Sequence, residues 1–144
     1  MQIIEKSRNL DLDEFLSQPL YAFLASESQD GPCCSPVWFL WEDGKIWIIS
    51  VKGDSFSKRV AQQPKSAISI VYWDRTSGKS IHAGFRGIAN VHEFDSSRAE
   101  RLLNKYLGND KSKWNARFID FQSNSENVFV CFAPEKVVLR DQSY

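Results

Sequence analysis

Two short runs of the chain, Val37-Trp38-Phe39-Leu40-Trp41 and Ile46-Trp47-Ile48-Ile49, are apolar at every position. Successive side chains of a strand point to opposite faces. Val37, Phe39 and Trp41 therefore face one way and Trp38 and Leu40 the other, while Ile46 and Ile48 oppose Trp47 and Ile49. An antiparallel sheet with one wet face alternates apolar and polar residues, so strands like these need cover on both sides. A helix, a ligand or a second subunit must supply the outer cover.

The neighbouring sequence turns these runs into hairpins. Turn signals at Gln29-Asp30-Gly31 and Glu42-Asp43-Gly44 separate three apolar runs between Leu20 and Val51, the pattern of a β-meander. Before them, Asp11 caps a short helix that Pro19 ends, with Glu14 at the capping-box position and Leu10 and Phe15 spaced as a hydrophobic staple. After Gly53, "DSFSKRVAQQ" reads as a helix of about two turns with Asp54 or Ser55 as cap. "KSAISIVYWD" is a strand, and "IHAGFRGIANVHE" is a long half-exposed one, with Ile81, Ala83, Phe85, Ala89 and Val91 inward. Ala99, Leu102, Leu103, Tyr106 and Leu107 recur at helical spacing between Asp95 and Gly108, so this helix should pack on the sheet. "KSKWNARFIDF" is a weaker helical segment, and "NVFVCFAPEKVVLRD" a closing strand bent at Pro134. Five or six strands with short helices interrupting them, rather than alternating with them, argue for a mainly β protein, a small antiparallel barrel with helices at its rim, and against a doubly wound α/β fold.

A chain of 144 residues suits a single domain spanning 1–144. Lysine plus arginine balance aspartate plus glutamate at 18 each, which leaves no excess charge to attract nucleic acid. No run of apolar residues suits a signal peptide or membrane span. Cys33 and Cys34 are adjacent and Cys131 is alone, so no disulfide framework or Cys-x-x-Cys motif is present, and a reducing, cytoplasmic location is expected. Free cysteines of this kind are more often small buried fillers than catalysts. His82 and His92 lack partners at metal-ligand spacing, so no metal site is expected.

Two features carry functional content. Ser50, Lys52, Ser55, Ser57, Lys58 and Arg59 surround a helix start, where free N–H groups and the helix dipole favour a phosphate. A capped surface helix is the plainer reading of the same residues. Trp38, Trp41, Trp47 and Trp73 are the second feature; large aromatics usually fill a core or interface, yet beside an anion site they also suit a flat, phosphorylated cofactor. Arg86 adjoins Gly87, where a backbone or ligand can approach closely, and an ion-paired arginine is an equal reading.

The order of soft motifs from Asp13 to Asp141 resembles the pyridoxamine 5′-phosphate oxidase-like, FMN-binding split-barrel family: the Asp-Gly turn, "SPVWF", the serine- and lysine-rich helix start ending in "QQPK", "FRGIANV" and "APEKVVLRD". The resemblance implies a six-stranded antiparallel, Greek-key-like split barrel with flanking helices and a homodimer with two FMN sites at its interface. It implies a flavin phosphate held by Ser50, Lys52, Ser55, Ser57 and Lys58, and an isoalloxazine ring against Val37, Trp38, Ile48 and Ile49. Partner contacts would come from around Trp73, His82 to Arg86 and the C-terminal strand, which places Trp73 and Arg86 by the cofactor. The expected activity is an FMN-dependent oxidoreductase acting on an unidentified small molecule. A non-catalytic flavin or redox-sensing module, a haem or deazaflavin binder, and a bare structural dimer are the alternatives. Two departures stand out: "DSFSKRVAQQP" lacks the longer Lys and Arg-Asn-Leu run of many members, and "EKVVLRDQSY" lacks the substrate-phosphate pattern of the vitamin oxidases.

Overall fold

A computed structural model describes residues 1–144. The strands are β1 (Gln2–Lys6), β2 (Ala22–Ser28), β3 (Gly31–Val37), β4 (Leu40–Glu42), β5 (Lys45–Val51), β6 (Lys65–Trp73), β7 (Ser80–Glu93) and β8 (Asn127–Asp141). The helices are α1 (Leu12–Leu16), α2 (Ser55–Gln62) and α3 (Ser96–Leu107). Hydrogen bonding orders the strands β3-β2-β6-β7-β8-β5-β4, and β1 adds to β8 in parallel.

The two edge strands of that path, β3 and β4, are joined by only Trp38 and Phe39. Laid flat, seven strands would separate their edges by about 29 Å at ~4.8 Å per step, and a two-residue link reaches about 10 Å. The sheet must therefore curl until its edges meet, which makes a barrel open along the β3/β4 seam. The run read as one strand of a meander is thus two strands: β2 pairs with β3, β4 pairs with β5, and Trp38-Phe39 crosses the seam between the two hairpins. Asp43 and Gly44 both have positive φ, the requirement of the tight turn between β4 and β5.

The predicted two-sided burial is present. Phe39, Ile46 and Ile48 lie in the barrel core with Leu24, Ile68, Ile70, Phe85, Val130 and Phe132. Trp47 lies on the outside in a second cluster with Phe129, Cys131, Trp114 and the α3 residues Ala99, Leu102 and Leu103, against which Trp38, Leu40 and Ile49 pack. Helix α3, in the predicted register and capped by Asp95, is the outer cover. The segment after it forms three single 3₁₀ turns rather than a helix.

Strand β8 is the pivot of the molecule. All along one edge it pairs with β7; along the other it pairs first with β5 and then with β1. The bend expected at Pro134 is a β-bulge, in which Arg86 faces Lys136 and Gly87 faces Pro134, leaving Glu135 as the extra residue. The bulge shifts the inward phase of β8 from Val130 and Phe132 to Val137 and Leu139. Gly87 is required there, because a Cβ would fall 2.2 Å from the Ala133 carbonyl oxygen. Of the residues expected inward on β7, Val91 is instead exposed, because β6 ends its pairing at Ile88 and the strand runs on past it. Among the cysteines only Cys131 is a buried filler; burial pushes its thiol pKa up, while Cys34 is exposed.

Candidate functional site

The predicted site residues fall into four places. Val37, Trp38, Ile48 and Ile49 come together, with Leu102 and Leu103 of α3 and Phe118 and Phe121 of the 3₁₀ turns, around an all-apolar crevice of about 240 Å³. Trp38 stacks on Tyr106 at 4.6 Å between ring centres, nearly parallel. Where β5 leaves this crevice the chain enters α2, and Lys52, Ser55 and Lys58 stand exposed around the helix start. Asp54, the residue before α2, makes no side-chain capping bond, so the first-turn N–H groups are not closed off by its carboxylate.

Ser50 and Ser57 point elsewhere. Ser57 Oγ donates within its own turn, to the carbonyls of Val51 and Asp54. Ser50 is 4% exposed, shares the inward phase of Ile46 and Ile48, and its Oγ has no hydrogen-bond partner. Ser50 Oγ faces the barrel interior and Ser57 Oγ is buried against the chain entering α2, so neither joins the surface around Lys52 and Lys58.

Trp73 and Arg86 lie on a different outer face, formed by β2, β6, β7 and the second half of β8. The cross-strand registers set out its rows: Phe23, Ser69, Gly84 and Val138 in the middle, Ala25, Ala67, Arg86 and Lys136 on one side, and Val71, His82 and Arg140 on the other. No helix covers these rows. Trp73, Val71, Phe23 and Ile4 are all exposed, Trp73 at 58%, and Trp73 Nε1 donates to the Tyr144 hydroxyl at 3.1 Å. At their centre is a depression of about 510 Å³ floored by Ala25, Ala67, Ser69 and Gly84. Its rim carries His82, Arg86, Lys136 and Arg140. His82 Nε2 shares a hydrogen bond with Ser69 Oγ, and Arg140 is held by Glu5 through two bonds of 3.1 and 3.0 Å. Mutual pairing holds the Glu5 carboxyl below its usual range and raises the guanidinium of Arg140.

Three polar assemblies were not legible from sequence. Arg59 of α2 reaches the mouth of the barrel, donating from Nε to Ser26 Oγ at 3.1 Å and from Nη2 to Ser35 Oγ at 3.2 Å. Glu42 accepts from Arg98 at 3.0 Å and from Arg101 at 2.7 Å, which fixes α3 over the β4–β5 hairpin and lowers the Glu42 pKa. Arg98 also lies over the Trp47 ring, 3.6 Å from its centre. At the seam, Lys105 Nζ donates to the carbonyls of Leu16 and Phe39, both at 2.9 Å. Tyr106 Oη donates to Leu20 O and accepts from Phe39 N. Burial lowers the Lys105 pKa to about 7 and raises that of Tyr106. Each assembly joins residues 24 to 89 positions apart, so spacing carried no signal of it.

Comparison with known proteins agrees with this architecture. The family model for pyridoxamine 5′-phosphate oxidase matches residues 11–139. No curated protein matches the chain by sequence. Among solved structures, a conserved hypothetical protein of Mycobacterium tuberculosis superposes with a TM-score of 0.74 at 17% identity, over 98% of this chain and 89% of that one. An F420 reductase superposes with a TM-score of 0.63 at 18% identity, over 87% of this chain and 94% of that one. An FAD-binding protein of Mesorhizobium loti does so with a TM-score of 0.65 at 14% identity, over 93% and 96%. These structural likenesses speak for the fold. With the family match running through nearly every element of the barrel, the chain belongs to the pyridoxamine 5′-phosphate oxidase family.

Proposed function

We propose that this protein is an FMN-dependent oxidoreductase that works as a homodimer. The observation that carries the reading is the passage from β5 into α2, along which the chain runs from Ile48 and Ile49 in an all-apolar crevice to Lys52, Ser55 and Lys58 exposed around the helix start. None of these three polar side chains has an ion-pair partner. Apolar surface shelters a flavin ring, and hydroxyls, ammonium groups and a helix start hold its phosphate. A crevice of about 240 Å³ is below the ~300–1,000 Å³ of a typical ligand pocket, so it admits one edge of the ring. The remaining shelter comes from a second copy, seated on the uncovered rows that include Trp73 and His82 to Arg86. All eight side chains that line the crevice are apolar, so a flavin held there would supply the hydride and electron transfer, and the chain would supply orientation and water exclusion.

Purified protein should be yellow, or should quench the fluorescence of added FMN to a stoichiometry of one per chain. Lys58→Ala should weaken FMN by about 1.5–3 kcal/mol, the range of a charge-assisted contact, and leave riboflavin binding unchanged. A protein that ignores FMN but takes up a deazaflavin or haem would overturn the cofactor assignment. Equal losses for FMN and riboflavin would show that Lys58 does not meet the phosphate.

A further inference from the structure

Arg86 and Lys136 are direct cross-strand partners on β7 and β8, both exposed on the same face. Like charges placed opposite one another destabilise a sheet, and an uncommitted chain would relax by exchanging one for a neutral or acidic residue. Here the register is locked by the bulge at Gly87 and Pro134, one residue away. Neither cation forms an ion pair, although Glu27 and Glu135 line the adjoining groove with Arg86. Both cations stand on the rim of the 510 Å³ depression. Two residues along each strand, about 7 Å away, are Gly84 and Val138, which with Ser69 form its flat central row. On the opposite rim Arg140 is paired with Glu5, and His82 Nε2 shares a hydrogen bond with Ser69 Oγ.

We propose that this depression, closed over by the second copy when the chain dimerises, is the substrate seat, and that Arg86 and Lys136 grip the carboxylate of a small acid whose flat, apolar body lies over Ser69, Gly84 and Val138. The guanidinium of Arg86 offers a fork that matches a carboxylate, and Lys136 adds a point charge. Lys65 lines the same groove as Glu27 and Glu135, so Arg86, Lys136 and Lys65 set against these two carboxylates leave a surplus of one positive charge, which suits a monoanion better than a phosphate dianion. The inference deepens the oxidoreductase reading by naming its substrate class, and rests on that reading for the word substrate; the binding itself does not.

The test is calorimetric titration of the full-length protein with benzoate, benzyl alcohol and phenyl phosphate, alongside FMN. Benzoate should bind at least tenfold more tightly than benzyl alcohol and at least as tightly as phenyl phosphate. Arg86→Gln and Lys136→Gln should each lower benzoate affinity about tenfold, and Lys136→Arg should restore it. Lys136→Gln should leave FMN affinity unchanged, and its melting temperature should not fall, because a like-charge pair has been removed. Equal binding of benzoate and benzyl alcohol would overturn the proposal. Tenfold tighter binding of phenyl phosphate would overturn the carboxylate assignment, and parallel loss of FMN in Lys136→Gln would make the pair part of a flavin site instead. Benzoate binding that survives in a protein indifferent to FMN would sink the flavin reading and leave the anion seat standing.

Discussion

The barrel has two outer faces of opposite character. Over β4, β5 and the first half of β8, outward side chains are large and buried, with Trp47, Phe129 and Cys131 under α3 and Trp114. Over β2, β6, β7 and the second half of β8, outward side chains are small at the centre and large only at the margin, where Phe23, Val71 and Trp73 meet solvent. The first face is an interior made by folding. The second has the concavity, charge and exposed apolar surface of a face that binds something. The two meet at the β8 bulge, where the strand exchanges β5 for β1 as its partner.

The largest expected effect tests the covered face. Trp47 is 6% exposed, packs edge-on against Phe129 at 5.9 Å between ring centres, carries the Arg98 guanidinium on its face and donates from Nε1 to the Glu42 carbonyl. Trp47→Ala should cost about 3–5 kcal/mol in urea unfolding, the range for a large buried aromatic. A loss under about 1 kcal/mol would mean that α3 is not a tight cover.

Next comes the boundary. A Cβ at position 87 would meet the Ala133 carbonyl at 2.2 Å and Pro134 Cα at 2.9 Å, both backbone atoms that cannot rotate aside. Gly87→Ala should therefore destabilise by roughly 1–3 kcal/mol through strand separation. It should also weaken benzoate binding, since Arg86 and Lys136 take their register from the bulge. Loss of stability with benzoate affinity intact would detach the anion seat from the bulge.

How far the sequence foretold this contrast depends on the range of the interactions. The two-sided apolar runs announced the covered face because the information is local: every residue from Val37 to Trp41 is apolar, and a pleat allows no other inference. The α3 face was equally local, carried by Ala99, Leu102 and Leu103. The seam crossing at Trp38-Phe39 was not legible, because it depends on β2 pairing with β6 while β5 pairs with β8. Strand β1 was missed because "QIIEK" is short, exposed throughout and paired only through β8, 134 residues further on. Lys136 went unnoticed for a similar reason: only the register with Arg86 makes it more than a surface lysine. Val37, Trp38, Ile48 and Ile49, grouped together from the sequence, line one crevice, whereas the five residues grouped for the phosphate divide between exposed Lys52, Ser55 and Lys58 and buried Ser50 and Ser57.

The seam supplies a prediction of pH dependence. Lys105 has a pKa of about 7 in the folded chain, against an ordinary value of 10.5, because burial disfavours its charge. Between those values the unfolded chain binds a proton that the folded chain does not. Folding stability should consequently rise as pH increases from 7 toward 10.5 and be flat in this respect below 7. Lys105→Met should remove that slope while loosening the ties to Leu16 and Phe39. Chemical denaturation of both proteins at pH 7, 8 and 9 reads the difference, and equal slopes would place the folded pKa of Lys105 near its ordinary value.

The smallest expected effect on folding is the one that defines the second face. Trp73 is 58% exposed and its one polar tie is to Tyr144, itself 82% exposed. Trp73→Ala should change the unfolding free energy of the isolated chain by less than about 0.5 kcal/mol, as surface substitutions generally do. Its consequence should appear instead in association. An exposed tryptophan at the margin of an apolar face, close to a flat floor of Ala67 and Ser69, is suited to act as an interface anchor. Sedimentation should show the wild-type chain as a dimer and the variant shifted toward monomer. A dimer as tight as the wild type, with unchanged stability, would remove the second copy from this face and leave the depression open to solvent. A stability loss comparable to that of Trp47→Ala would erase the distinction between the faces, since it would require Trp73 to be buried within the single chain.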